Sequence, residues 1–321
     1  MGLSPSTTWF LMILSMVCWG SWANTFKLTR GVRFELFYWD YAAGLFTMAV
    51  LAAILIGRHS PDADFPGSLL HAHPTSLLWA ALSGVVFNLA NLLLVAAIAV
   101  AGLAVAFPVA IGTALVVGAT LTFLVDRTGA PTYIFTGVAF AAVAVICSAA
   151  AYRAQAGELR VTRRGVIICL VSGLLMASWA PLAAASMKRT SGFLTPLASF
   201  VVFAAAALIS TIPFNLYFMR RPIIGVPVTM KEYFSGGIRW HVLGLSGGAI
   251  WSIGTASNLI AGHSGGFAIS YAIGQTAPLV ASLWGIFVWR EFAGAGSKSK
   301  NALIAMFFFY AVAIVVLSQA A

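Results

Sequence analysis

Ten apolar runs fill almost the whole chain, each close to the length of a bilayer-crossing helix. They lie at residues 7–27, 35–56, 76–99, 102–124, 131–152, 165–186, 194–218, 241–261, 266–289 and 301–319. A helix rises about 1.5 Å per residue, so roughly 20 apolar residues cross a hydrocarbon core. Hydrophobic residues make up 61% of the chain and charged residues only 8%. A water-soluble domain has too little interior for that much apolar surface. The pattern predicts an all-α polytopic membrane protein of ten transmembrane helices.

Charge placement sets the expected orientation. Of 18 Lys and Arg residues, 14 fall in the loops after runs 1, 3, 5, 7 and 9: Lys27, Arg30, Arg33, Arg153, Arg160, Arg163, Arg164, Arg220, Arg221, Lys231, Arg239, Arg290, Lys298 and Lys300. The opposite side has Arg58, Arg127, Lys188 and Arg189. Basic loops stay in the cytoplasm, so both termini are expected to be extracytoplasmic, in a plasma or inner cell membrane. The basic excess is thus a topology signal with some contact to anionic lipid, and nucleic acid is not an expected partner. The first run has no basic segment ahead of it and carries Asn24 and Lys27 at its far end, which reads as a retained helix rather than a cleaved leader. Cys18, Cys147 and Cys169 all lie within runs and read as small packing residues.

The loops are short. Ala101-Gly102 and His263-Ser264-Gly265 are expected to be tight turns, and Met230 to Phe234 a short helix in the membrane interface. The chain divides into a first five-helix repeat at 1–152, a basic linker at 153–164 and a second repeat at 165–321. Three short echoes support the division. Ser21-Trp22-Ala23 returns at Ser178-Trp179-Ala180, Leu82-Ser83-Gly84 at Leu245-Ser246-Gly247, and Ile111-Gly112 at Ile273-Gly274, with offsets of 157 to 163 residues. Five helices per copy would insert the second copy upside down, the inverted repeat common in secondary transporters.

Polar residues inside apolar runs are costly and mark candidate sites. Asn88 and Asn91 stand three apart on one helix face, where their carboxamides can hold a ligand with amide or hydroxyl groups, or tie helices together. Asn24, Asn258, Tyr271 and Gln275 are further candidate contacts, with Trp22 and Trp251 as flat surfaces for stacking. Pro108 and Gly112, and likewise Gly274 and Pro278, are candidate hinges where freed backbone can line a cavity. Glu35 fits the first turn of the second helix, where the helix dipole favours a carboxylate. Asp40 lies about 8 Å deeper. Asp40, Lys27 and Glu35 are the candidate coupling residues, and two readings of Asp40 stand: a carboxylate that takes up and releases a proton, or a permanent partner of Lys27 or Arg33. Asp126-Arg127 and Arg290-Glu291 read as structural pairs at span ends. His59, His71 and His73 beside Asp62 and Asp64 read as a solvated loop. No HExxH, CxxC or P-loop motif occurs, and no clustered nucleophile, base or metal set supports an intramembrane enzyme.

Longer tracts carry a family resemblance. They are Arg221-Pro222-Ile223-Ile224-Gly225, Lys231-Glu232-Tyr233, Leu243-Gly244-Leu245-Ser246-Gly247-Gly248, Ala277 through Ile286 and Arg290-Glu291-Phe292, with Trp19-Gly20-Ser21-Trp22, Trp39-Asp40-Tyr41 and Gly84-Val85-Val86 in the first half. Through them the chain resembles the ureide permease family of the drug/metabolite transporter superfamily, near the glucose/ribose-porter group. The resemblance implies two inverted five-helix repeats around a central cavity and proton-linked movement of small polar solutes such as allantoin and uracil. It places Trp22, Asp40, Asn91, Gln275 and Pro278 at matching positions. Plant members carry a long central loop that this chain lacks, and the tract Arg33 to Tyr38 departs from their pattern. The expected partners are a small polar solute, protons and the bilayer, with no cofactor. A sugar porter or a metabolite exporter of the same superfamily is the alternative, and a non-transporting membrane protein the third.

Overall fold

A chain in lipid has no water to satisfy its backbone, so each apolar run must close its hydrogen bonds within a helix. The computed structural model describes residues 3–57, 65–101, 103–156, 162–188 and 193–320, and every element in them is helical. The expected residues Arg58, His59, Asp62, Asp64, Gly102, Arg160 and Arg189 lie outside the described residues. The first run forms α1 (Pro5–Ser21) and α2 (Ala23–Lys27), and the second forms α3 (Phe34–Gly57). After α4 (Phe65–Leu70) comes α5 (Pro74–Ala101). The fourth run holds α6 (Leu103–Ala106), a wider π-turn (Phe107–Ile111) and α7 (Gly112–Asp126). There follow α8 (Pro131–Ala156), α9 (Arg163–Ser186), α10 (Pro196–Arg220), the short α11 (Met230–Phe234) and α12 (Ile238–Gly265). The ninth run is broken into α13 (Phe267–Gly274), α14 (Pro278–Leu283) and a π-turn (Trp284–Val288), and α15 (Ser297–Ser318) ends the fold.

Helix starts follow the local chemistry. Ser4, Thr162 and Thr195 cap α1, α9 and α10 by accepting from backbone N–H groups. Thr229 and Glu232 form a reciprocal capping box on α11. One turn is displaced from its expected place: His263, Ser264 and Gly265 continue α12, and the chain reverses at Gly266, whose φ of 99° suits a residue without a side chain.

Among the described residues, eight helices are long and apolar enough to cross a membrane. α1 stops after 17 residues, and α12 dilutes its hydrophobicity with glycine and serine. Large apolar side chains point outward along the bundle, including Ile209, Phe308 and Val315, each more than 60% exposed. This is the surface of a chain solvated by lipid. The chain is a multi-pass membrane protein.

Close helix contacts are made through glycine. A Cβ at Gly248 of α12 would fall 2.0 Å from the Tyr41 carbonyl of α3, and one at Gly84 of α5 would fall 2.1 Å from the Phe203 carbonyl of α10. No side chain fits at either crossing. α5 also packs along α9, and α8 along α15.

Inter-loop contacts sort the loops into two sets, one at each end of the bundle. Lys27 meets Glu291, Arg33 meets Val226, and Gln155 meets the Glu291 carbonyl. At the other end Phe267 N–H donates to Asp126, Thr195 N–H to Ser68, and Ala130 N–H to the Ala320 carbonyl. The first set carries most of the basic residues.

A central cavity with two carboxamides and four tryptophans

A cavity of about 200 Å³ opens between α1, α2, α5, α9, α12 and the broken ninth run. Trp19, Trp22, Trp179 and Trp251 form its aromatic walls, with Phe87 and Met176 beside them. Its polar side chains, indole N–H groups apart, are the carboxamides of Asn91 and Gln275, and no charged residue lines it. An ionic ligand would find no counter-charge there, whereas a neutral flat ligand would find surfaces to stack on and groups that both donate and accept.

The break in the ninth run explains how Gln275 reaches the cavity. α13 ends at Gly274, where a Cβ would fall 2.5 Å from the Trp19 ring. Pro278 then starts α14, as proline suits a first helical turn. Gln275 sits between them as the cap of α13, and its side chain makes no hydrogen bond to any described residue. Asn91 lies on α5 and donates to the Tyr38 hydroxyl at 3.3 Å.

Trp251 is the hub of the inner wall. Its ring stacks on Phe87 at 4.2 Å, Phe203 at 5.9 Å and Trp19 at 6.1 Å, and meets Trp179 edge-on at 6.3 Å. Five helices thereby share one aromatic cluster. Trp22 lies against Tyr41 at 4.9 Å nearer the basic end.

Of the expected ligand contacts, Trp22, Asn91, Trp251 and Gln275 line the cavity, as do the expected hinges Gly274 and Pro278. The rest stand elsewhere. Asn88 is fully buried; its Oδ1 accepts from Tyr38 and Thr211, and its Nδ2 donates to Ser210. Asn258 donates to Ser15 and to the Ser270 carbonyl. Tyr271 donates to the Ala114 carbonyl at 2.9 Å. Asn24 accepts from the Trp289 indole at the basic end of the bundle. Pro108 lies in the π-turn of the fourth run, and Gly112 follows it on an outer recess.

Asp40 does not line the cavity, and its neighbours are not the expected ones. Oδ2 lies 2.8 Å from Nδ1 of His241, and Oδ1 accepts from the Tyr233 hydroxyl at 2.8 Å. Burial, and then the adjacent Asp40 carboxylate, push the Tyr233 phenol well above its usual range, so it keeps its proton and remains the donor. Lys27 instead pairs with Glu291 and lies 4.6 Å from the Trp289 ring centre. Arg33 forks onto Glu35, at 2.6 and 3.1 Å.

Sequence reasoning left Trp179 and Phe87 out of the site, and gave Asp40 neither His241 nor Tyr233. For Trp179 a signal existed: Ser178-Trp179-Ala180 is the echo of Ser21-Trp22-Ala23, and both tryptophans face the same cavity. Nothing local marks His241, which is 201 residues from Asp40.

The protein is a multi-pass helical bundle built around a solute-sized, uncharged, aromatic cavity. The chain belongs to the ureide permease family, whose model matches residues 37–166 and 160–320. Ureide permease 1 of Arabidopsis thaliana is 24% identical over 373 aligned positions, covering 95% of each chain. Ureide permease 2 of the same plant is also 24% identical, again over 95% of each chain. A solved crystal structure superposes with a TM-score of 0.66 at 19% identity, covering 97% of this chain and 98% of the other; that likeness concerns the fold alone. The family makes this chain a permease and not an enzyme.

Proposed function

We propose that this permease moves small neutral cyclic amides, namely ureides such as allantoin and nucleobases such as uracil. The observation that carries the reading is Gln275, a cavity carboxamide with no described partner, set with Asn91 among four indoles and no charge. A ring bearing alternating N–H and C=O groups matches a carboxamide edge to edge and an indole face to face. The names of the Arabidopsis relatives point the same way.

In this reading the chain crosses the membrane ten times as two inverted repeats, 1–152 and 165–321, joined by the linker 153–164. Packing supports the pairing. Exchanging each span with the one five later turns the α3–α12 contact into the α10–α5 contact, and the α5–α9 contact into the α12–α1 contact. The glycine crossings follow the same exchange, since Gly84 and Gly248 sit in or beside the two Leu-Ser-Gly tracts. The kinks do too, as the π-turn ending at Ile111 and the break after Gly274 fall at the echoed Ile-Gly pairs. Such repeats rock between two arrangements around a fixed site, which is alternating access. The basic end faces the cytoplasm, leaving both termini outside.

Coupling is assigned to Asp40 with His241. They are a carboxylate and an imidazole that meet, partly buried, at the basic end between α3 and the first turn of α12. One proton bound there and released on the other stroke would drive accumulation. Glu35 and Lys27 hold the ends of their helices to neighbouring loops. Competition assays test the substrate class: unlabelled allantoin and uracil are expected to block labelled uracil uptake, while a hexose and a lipophilic cation leave it unchanged. Block by the hexose alone would favour a sugar porter.

A further inference from the structure

We propose that the stretch from Arg220 to Arg239 is a docking surface for anionic phospholipid headgroups. It goes beyond solute movement and does not depend on which solute is carried.

The segment has two faces with opposite jobs. Inward, Val228 is buried against Val32, Leu36 and Met219, and Tyr233 donates to Asp40. Outward, Val226, Phe234 and Ile238 are 73%, 75% and 78% exposed. Arg220, Arg221, Lys231 and Arg239 stand around them, all exposed and none in an ion pair with a described residue. The single acid of the stretch, Glu232, is turned back onto Thr229, accepting at 3.0 Å from its N–H and 2.9 Å from its hydroxyl. The outward face therefore combines three large apolar side chains with four unopposed cations.

Position then selects the occupant. The segment is tethered directly between α10, which ends at Arg220, and α12, which begins at Ile238. The first is apolar enough to cross the membrane, and the second packs along α3, which is equally so. So short a tether keeps the outward face at the level of the headgroups. There, apolar side chains insert at the acyl boundary and basic ones meet lipid phosphates. Charge complementarity favours an anionic lipid over a zwitterionic one. Because Tyr233 reaches Asp40 from the inner face of the same short helix, seating the outer face on lipid also holds Asp40 in its hydrogen-bonded arrangement.

The test uses the full chain in phosphatidylcholine vesicles, with Phe234→Cys carrying a fluorophore and the unsubstituted protein as labelling control. Brominated phosphatidylglycerol or brominated phosphatidylcholine is added at equal fraction. The anionic quencher is expected to be about threefold more effective, and high salt to remove the difference. Replacing Arg220, Arg221, Lys231 and Arg239 together by Gln is expected to abolish it; if that variant does not fold, Lys231→Gln alone should reduce it. Equal quenching by the two lipids overturns the proposal. So does no quenching by either, which would mean that a second copy or another protein covers the face.

Discussion

Oδ2 of Asp40 lies 2.8 Å from Nδ1 of His241, joining α3 to the first turn of α12 across 201 residues. The pair is flanked by the Tyr233 hydroxyl and lies apart from the cavity. In the proposed coupling role it would act without touching solute. Asp40→Asn keeps the shape and the acceptor for Tyr233 but removes the charge. The expected outcome is loss of pH-driven accumulation with exchange of labelled for unlabelled solute retained. Full accumulation with its pH dependence intact would remove Asp40 from coupling. His241→Ala should have the same effect on accumulation, with a stability loss of about 1–3 kcal/mol from the buried Asp40 oxygen left without its partner.

Gln275 and Asn88 are both mid-bundle amides, yet they should fail differently. Gln275→Ala removes the proposed ligand contact and no hydrogen bond to a described residue, so KM should rise about fivefold, the worth of roughly one neutral hydrogen bond, with thermal stability held. Asn88→Ala takes the acceptor from the buried Tyr38 hydroxyl, while Ser210 and Thr211 still donate to the Ala207 carbonyl. Its stability should fall by about 2 kcal/mol or more while KM of the folded fraction stays put. Uptake kinetics and thermal unfolding in detergent separate the two outcomes.

Gly248 and Gly84 sit where two helix backbones touch. Adding a methyl group at either, 2.0 or 2.1 Å from a facing carbonyl, must push α3 from α12 or α5 from α10. Alanine at either position should cost about 1–3 kcal/mol or prevent insertion of a folded bundle. Gly296, with nothing within 4 Å of an added Cβ, should accept alanine at under about 1 kcal/mol. Size-exclusion recovery after heating reads the difference.

Lys27 and Glu291 form an ion pair whose side chains are 44% and 31% exposed. Water and salt screen such a pair, so Lys27→Met should change stability by less than about 1 kcal/mol. Loss of folded protein on that change would mean that the cation over the Trp289 ring carries more than its exposure suggests.

The spans were legible because lipid imposes one rule on each of them: apolar side chains outside, backbone satisfied within. Run 131–152 became α8 and run 165–186 became α9 with only small shifts at the ends. The short helix at Met230–Phe234 was legible as well, since its amphipathic make-up is local. The site was half legible. Asn91 and Gln275 could be singled out as costly polar residues, but Asn88 looked equivalent to Asn91. Three residues turn a helix by about 300°, leaving the two side chains some 60° apart. That is enough to aim one at the cavity and the other at α10. Partnerships across the fold were not legible at all. Asp40 had Lys27 and Arg33 as its expected partners, and each is occupied elsewhere, by Glu291 and by Glu35.

The most direct measurement of the central claim is uptake of labelled allantoin and uracil into proteoliposomes, with and without an inward proton gradient. The account predicts accumulation of both above equilibrium only when the gradient is present, and none with Asp40→Asn. Movement of a hexose instead, or accumulation indifferent to the gradient, would contradict it.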